Sequence, residues 1–389
     1  MTPRQRILRA FARQPVDQVP FCPNLTRWAR GNRGTPSELQ QLHVAEEMGF
    51  DPLILYGMYI NHPIASDYVY SPAGYAGYRD LPGVTARLSV ENKRDRTIHI
   101  RTFETPDGVL TDRIAWPRPN AGYGDGPNPH REEPLIKSLA DVPALRHLYS
   151  QPHPGFTEDL CSFSELVGER GLVAFCDSCQ PGAWGMESLG PDGMLISSRT
   201  DRQLLVEVLR ISQDVHLRNL KTVLESGYKY FFMSWFQCGR SVGWSPDDIQ
   251  DLFCPLIRES VELVHSYGGI YVFQDDGKMQ SAIPFLADLG VDVAGSLQPP
   301  PVGNCDFGEL KRRFGDRMCL LGGLDPIYTF DLGSVERVRN DVRNLCEQIG
   351  DGRGVVLATG EAISPSTPKK LLTEAVNVAR HYTKTICCG

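Results

Sequence analysis

Short apolar and β-branched runs alternate along the chain with longer stretches in which apolar residues recur every three or four positions. Runs bounded by turn residues predict buried strands, and the longer period predicts helices. The predicted strands are Gln18–Pro23, Pro52–Tyr56, Leu172–Phe175, Tyr230–Ser234, Ile270–Phe273, Val291–Gly295, Met318–Leu321 and Val355–Ala358. Eight such strands separated by helices predict an α/β fold of the (β/α)8 TIM-barrel type. A doubly wound sheet is the alternative, but no Gly-rich dinucleotide fingerprint follows the first strand.

Two helices are legible in detail. Thr2 caps the first, with Pro3 in its opening turn and Ile7, Leu8 and Phe11 on one face. Ser245 caps another, in which Ile249, Leu252, Phe253, Leu256, Ile257, Val261 and Val264 form an apolar stripe that Gly268 and Gly269 stop. Pro255 falls inside that stripe and predicts a kink. Residues 66–134 break the rhythm: Thr85–Val90, Thr97–Phe103 and Val109–Trp116 read as antiparallel strands, the last two joined by a Pro106-Asp107-Gly108 turn. The expected organisation is one domain over 1–389, with 66–134 as an insertion after the second strand.

Composition narrows the classes. The 389 residues are 41% hydrophobic and 22% charged, which supplies a core, and 40 cations against 47 anions leave a net charge of −7. A basic face for nucleic acid or anionic lipid is not expected, and no apolar run reaches the roughly 18 residues of a membrane span. Arg4, Arg6, Arg9 and Arg13 precede the first acid, Asp17, as in a transit peptide, but the capped helix is the preferred reading. Eleven cysteines without an export signal fit reduced thiols and a cytoplasmic location.

In a barrel the site lies where strands end. Those positions hold Cys22 and Asn24; Met58, Tyr59 and His62; Cys176, Asp177 and Cys179; Trp235, Gln237 and Cys238; Gln274, Asp275 and Asp276; Gln298; Asp325; and Glu361. Adjacent acids at 275 and 276 could bind a cation or exchange a proton, because each raises the other's pKa; one of them could equally cap the next helix. Glu361, after the last strand, is a second acid at the mouth or the partner of an Arg across the rim. The Cys176–Cys179 CxxC has no second pair at zinc-finger spacing and reads as core or rim thiols. Cys238 is a ligand, a nucleophile or a small buried hydrophobe, and His62 an acid/base or an ordinary loop residue. Arg94, Arg96 and Arg101 are expected on a solvated hairpin face.

Several segments together resemble the uroporphyrinogen decarboxylase-like superfamily, and most closely its cobalamin-dependent methyltransferase and O-demethylase branch. They are Pro3–Leu8 through Val19-Pro20, Met48–Pro52, Leu289-Gly290 before Leu297–Pro299, Gly322–Asp325 and Ile363–Pro368. The resemblance implies a (β/α)8 barrel. True decarboxylases carry an Arg-rich motif after strand one, an Asp after strand two and a His after strand eight. Here Arg27 and Arg30 match only loosely, Gly57-Met58 offers no acid, and Glu361 stands in place of the His, so porphyrinogen decarboxylation is disfavoured.

Thiol-activating zinc members carry His-x-Cys after strand five and Cys after strand eight. This chain has Gln274-Asp275-Asp276 and Glu361 there, which exchanges soft ligands for oxygen donors. The resemblance therefore implies a methyltransferase that moves a methyl group from a small, methoxylated substrate to a corrinoid protein. Asp276 and Glu361 would hold zinc or supply a proton, Gln274, Asp275 and Gln298 would orient the substrate, and Tyr59, His62, Trp235 and Cys238 would line its pocket. A lyase of another carboxylated substrate and a catalytically silent binding protein are the alternatives. Barrels of this superfamily pair, so a homodimer is also expected.

Overall fold

The computed structural model describes residues 1–34, 37–57, 81–118, 129–150, 157–176, 180–235 and 238–388. They gather into two compact units, one of residues 1–56, 155–176 and 223–389, the other of residues 57–154 and 177–222.

The first unit is an α/β structure. Its parallel sheet contains β1 (Leu53–Tyr56), β6 (Leu172–Phe175), β7 (Tyr230–Ser234), β8 (Ile270–Gln274), β9 (Val293–Leu297), β10 (Cys319–Leu324) and β11 (Val355–Thr359), hydrogen-bonded in that order. Each is an expected strand, and β6, β9 and β11 are buried at every residue, as strands covered on both faces must be. The expected first strand, Gln18–Pro23, is not one: Phe21 makes a single parallel bridge to Leu357. Pro20 and Pro23 have no N–H to give a ladder, and the Phe21 N–H goes to the side chain of Asp51. The segment still joins the sheet's two edges. Cys22 N donates to Leu357 O and Leu357 N to Pro20 O on the β11 side, and Asp51 N donates to Phe21 O beside β1. Arg6 completes this clasp through ion pairs to Asp17 and Asp51.

The start of β9 lies two residues later than the pattern suggests. Val291 N still closes the preceding helix on Leu286 O, and the Asp292 carboxylate takes the Tyr271 N–H at 2.8 Å. In the first helix, Pro3–Phe11, Thr2 and Gln5 form the capping box, and Arg6, Ile7, Ala10 and Phe11 are buried. Leu8 is only partly covered, because Ala10 takes the core position. The Ser245-capped helix buries its whole apolar stripe. In place of a simple kink, residues Ile249–Phe253 form a π-turn, and Pro255 opens the α-helix Cys254–Ser266, where its missing donor is not needed.

The second unit carries an antiparallel sheet of β2 (Thr85–Asn92), β3 (Arg96–Thr105), β4 (Gly108–Pro117) and β5 (His130–Glu133), in sequence order. Gly108, at φ 143°, ends the Pro106-Asp107 turn between β3 and β4 as expected. Arg101 corrects the expectation of a solvated face. It stands directly opposite Asp112 in the β3–β4 register and is buried, its Nε 3.0 Å from Asp112 Oδ1. Asp112 also pairs with Arg131 of β5, and Arg131 with Glu187 of the helix Pro181–Leu189. Opposite charges on paired strands satisfy each other inside the unit and need no solvent.

Candidate active site

Six loops of the first unit, each following a strand or the closing segment, wall a cavity of about 560 Å³. The loop after the closing segment is docked onto the last one. Asn24 N donates to Thr359 Oγ1, Ile363 N to Asn24 O, and the Trp28 indole N–H to Thr367 O at 2.9 Å. Gly31 lies so close to Pro365 that a Cβ would fall 2.6 Å from its ring. This docking brings Arg27 to the same cavity as Glu361.

Asp276 and Glu361 meet on the cavity wall. Burial first, and then the charge of Glu361 and a hydrogen bond to it, raise Asp276 well above the usual carboxylate range. The protonated form of Asp276 is thereby favoured. Gln274 Nε2 donates to Asp276 Oδ1 at 2.7 Å, and Glu361 Oε1 accepts the Ala362 N–H at 2.6 Å, so both acids are oriented. Gln298 lines the cavity as well, and its side chain fills the space where a Cβ on Gly360 would sit, 2.6 Å from Cγ.

Asp275 points elsewhere. Its Oδ1 accepts the Asp276 N–H at 2.8 Å, its Oδ2 would lie 2.3 Å from a Cβ on Gly239, and burial pushes it up to about 8. A carboxyl raised from roughly 3.9 in the unfolded chain favours the fold below about pH 4 and loses that contribution as pH rises through 8. Asp275→Asn keeps the oxygen that accepts the Asp276 N–H. Thermal unfolding across pH 4–9 is expected to show wild type losing stability faster than the variant, by roughly 1.4 kcal/mol for each pH step between those values. Parallel curves would remove this account of Asp275.

Ser241, which the sequence did not single out, lines the cavity and holds the acid turn. Its Oγ donates to Asp276 O and accepts the Lys278 N–H at 2.8 Å. Gly277 has φ 77°, and a Cβ there would lie 2.3 Å from Ser241 Oγ. Gly277→Ala is expected to cost about 1–3 kcal/mol in denaturant unfolding and to lower activity through Asp276; a variant with unchanged stability would show that the turn yields freely.

Other expected residues are placed as follows. Trp235 is buried, its indole N–H donating to Tyr271 Oη at 2.7 Å and its ring stacked on Phe273, and Cys238 is buried beside it in sequence. Neither lines this cavity. Cys176 is buried with its Sγ 3.8 Å from Ser234 Oγ. Met58, Tyr59, His62, Asp177, Cys179 and Gln237 lie outside the described residues. Among the described residues no three His, Cys, Asp or Glu side chains converge as a metal site, and no helix is long and apolar enough to cross a membrane.

A parallel sheet with a polar cavity at the carboxyl ends of its strands defines an α/β protein of TIM-like build. Residues 122–382 match the family model described as uroporphyrinogen decarboxylase (URO-D), and the chain belongs to that family. It is 26% identical over 260 residues to a uroporphyrinogen decarboxylase of Pseudomonas savastanoi pv. phaseolicola, covering 62% of this chain and 67% of the relative. The corresponding enzyme of Pseudomonas putida (strain W619) is 31% identical over 257 residues, with the same coverage. Among solved structures, a methyltransferase from Methanosarcina mazei superposes over 98% of this chain and 99% of its own, with TM-score 0.60 and 15% identity, a likeness of fold.

Proposed function

We propose that this chain is a methyltransferase that takes a methyl group from a small oxygen-bound donor and delivers it to the cobalt of a corrinoid protein. The observation that supports this most is the Asp276–Glu361 pair, two carboxyl groups hydrogen-bonded to each other on the wall of a cavity of about 560 Å³. When a methyl group leaves an ether or similar oxygen, the electron pair of the broken C–O bond stays on that oxygen. The nucleophilic cobalt supplies the pair for the new C–Co bond, and the oxygen needs one proton to leave as a neutral hydroxyl. Asp276 is positioned to give that proton, and the neighbouring Glu361 accepts the hydrogen bond and later helps return a proton from solvent. Gln298 offers an amide to orient the substrate, and Val302, Pro326 and Ile327 supply apolar walls.

The donor set among the described residues does not fit zinc well. Asp276 and Glu361 would be its protein ligands, and catalytic zinc sites ordinarily use three. Proton donation by Asp276 needs no metal. Membership of the URO-D family favours one second reading, loss of CO2 from a carboxylated substrate. The same acid pair would then protonate the carbon left behind.

One assay separates the two. Purified protein is offered methoxylated aromatic acids with cob(I)alamin, and the methylated cobalt and released CO2 are both followed. Methylcobalamin formed in proportion to free hydroxyl product supports the methyltransferase. CO2 release without cobalt methylation replaces it with the lyase.

A further inference from the structure

Strand β9 departs from regular pairing at one point. Ser296 has φ 60°, a left-handed conformation that a residue with a Cβ adopts only at a cost. At the same point the ladder to β10 slips. Leu320 stands opposite Ala294, but Gly322 stands opposite Leu297, so β9 takes three steps where β10 takes two. On its other side β9 keeps step with β8 as far as Gly295, opposite Gln274. The extra residue is thus confined to Gly295–Ser296, and the irregularity is a β-bulge.

Side chains alternate between the faces of a strand, so one extra residue reverses the face of those that follow. The next two are Leu297 and Gln298. Gln298 lines the larger cavity together with Asp276 and Glu361, and it is 2% exposed. Its amide has no hydrogen-bond partner among the described residues, so both its donor and its acceptor are available to a ligand. Glycine backbones hold this segment in place. A Cβ on Gly322 would lie 2.6 Å from both N and O of Leu297, and one on Gly360 2.6 Å from Gln298 Cγ. A Cβ on Gly303 would overlap Gln298 O, which accepts the Cys305 N–H at 3.0 Å.

We propose that Ser296 is a positioning residue, whose left-handed backbone makes the bulge that turns the Gln298 amide into the acid cavity. Strained backbone persists where its surroundings over-determine it, and it concentrates at functional sites. The backbone conformation carries the role, and the hydroxyl does not. Glycine at 296 would serve as well, because it enters the left-handed region freely. A β-branched residue would not, and the bulge would relax. The inference rests on the substrate-orienting role given to Gln298 above.

The test compares crystal structures and donor kinetics of wild type, Ser296→Gly and Ser296→Val. Gln298 is expected against Gly360 in wild type and Ser296→Gly, and out of the cavity in Ser296→Val. With a methoxylated aromatic acid and cob(I)alamin, Ser296→Val is expected to lower kcat/KM about tenfold, the worth of one hydrogen bond, and Ser296→Gly to leave it unchanged. The loss should vanish in a Gln298→Ala background, where a merely structural defect would add to it. If Ser296→Val does not fold, Ser296→Thr, also β-branched, takes its place. Gln298 unmoved in the folded β-branched variant, Gln298 displaced in Ser296→Gly, or additive losses would overturn the proposal. Absence of methyl transfer in wild type would count against the assigned reaction, and the crystal structures would still decide the role of Ser296.

Discussion

Glu361→Gln is expected to lower kcat/KM by 10²–10⁴-fold, the usual worth of a positioned acid, while circular dichroism and thermal unfolding stay close to wild type. The substitution keeps the side chain's size and an oxygen for the Ala362 N–H. It removes the negative charge that helps hold a proton on Asp276, so Asp276 ionises at lower pH. Asp276→Asn should be at least as damaging, because an amide has no proton to give. Wild-type activity should fall as pH rises through the raised pKa of Asp276, and Glu361→Gln should move that fall to lower pH. A pH–rate profile of both proteins checks the sign. Glu361→Gln with wild-type turnover and an unmoved profile would falsify the proton-donating pair.

Asp112→Asn should destabilise the second unit by about 3–5 kcal/mol. Asp112 is fully buried between Arg101 and Arg131, whose charges hold its carboxyl below the usual range despite burial. Without it, the two buried guanidiniums lose the carboxylate that both pair with, and Glu187 stays as the ion-pair partner of Arg131. Removing one partner of a buried ion pair costs far more than the pair contributes when intact, because the remaining charge stays desolvated. Urea unfolding followed by far-UV circular dichroism measures the loss. A change below about 1 kcal/mol would mean that water reaches the cluster and screens it.

Period and turn chemistry made seven of the eight strand positions legible, because each run is apolar on both faces and stops at a turn residue. The first run misled for a local reason. Its composition is strand-like, but the Phe21 donor is taken by Asp51, a residue thirty positions away that no window includes. The acids at 275, 276 and 361 were legible as strand-end residues, yet their division of labour was not. Asp276 meets Glu361 while Asp275 turns toward Gly239. Ser241 could have been suspected as a hydroxyl two residues after Gly239 in the loop following β7. The buried Arg101–Asp112 pair was also within reach, since both flank the Pro-Asp-Gly turn at equal distances and must face each other once it forms.

The clasp joining the sheet's edges has a consequence for synthesis. Phe21 and Leu357 are 336 positions apart (357 − 21), so the Phe21 segment leaves the ribosome long before the neighbour it bridges to. At roughly 5–20 residues per second, about 20–70 s pass in between. Throughout that interval Val19, Phe21 and Cys22, each at most 4% exposed in the finished protein, have no partner on one side. The segment around Phe21 is therefore open to aggregation or chaperone capture until β11 has been made.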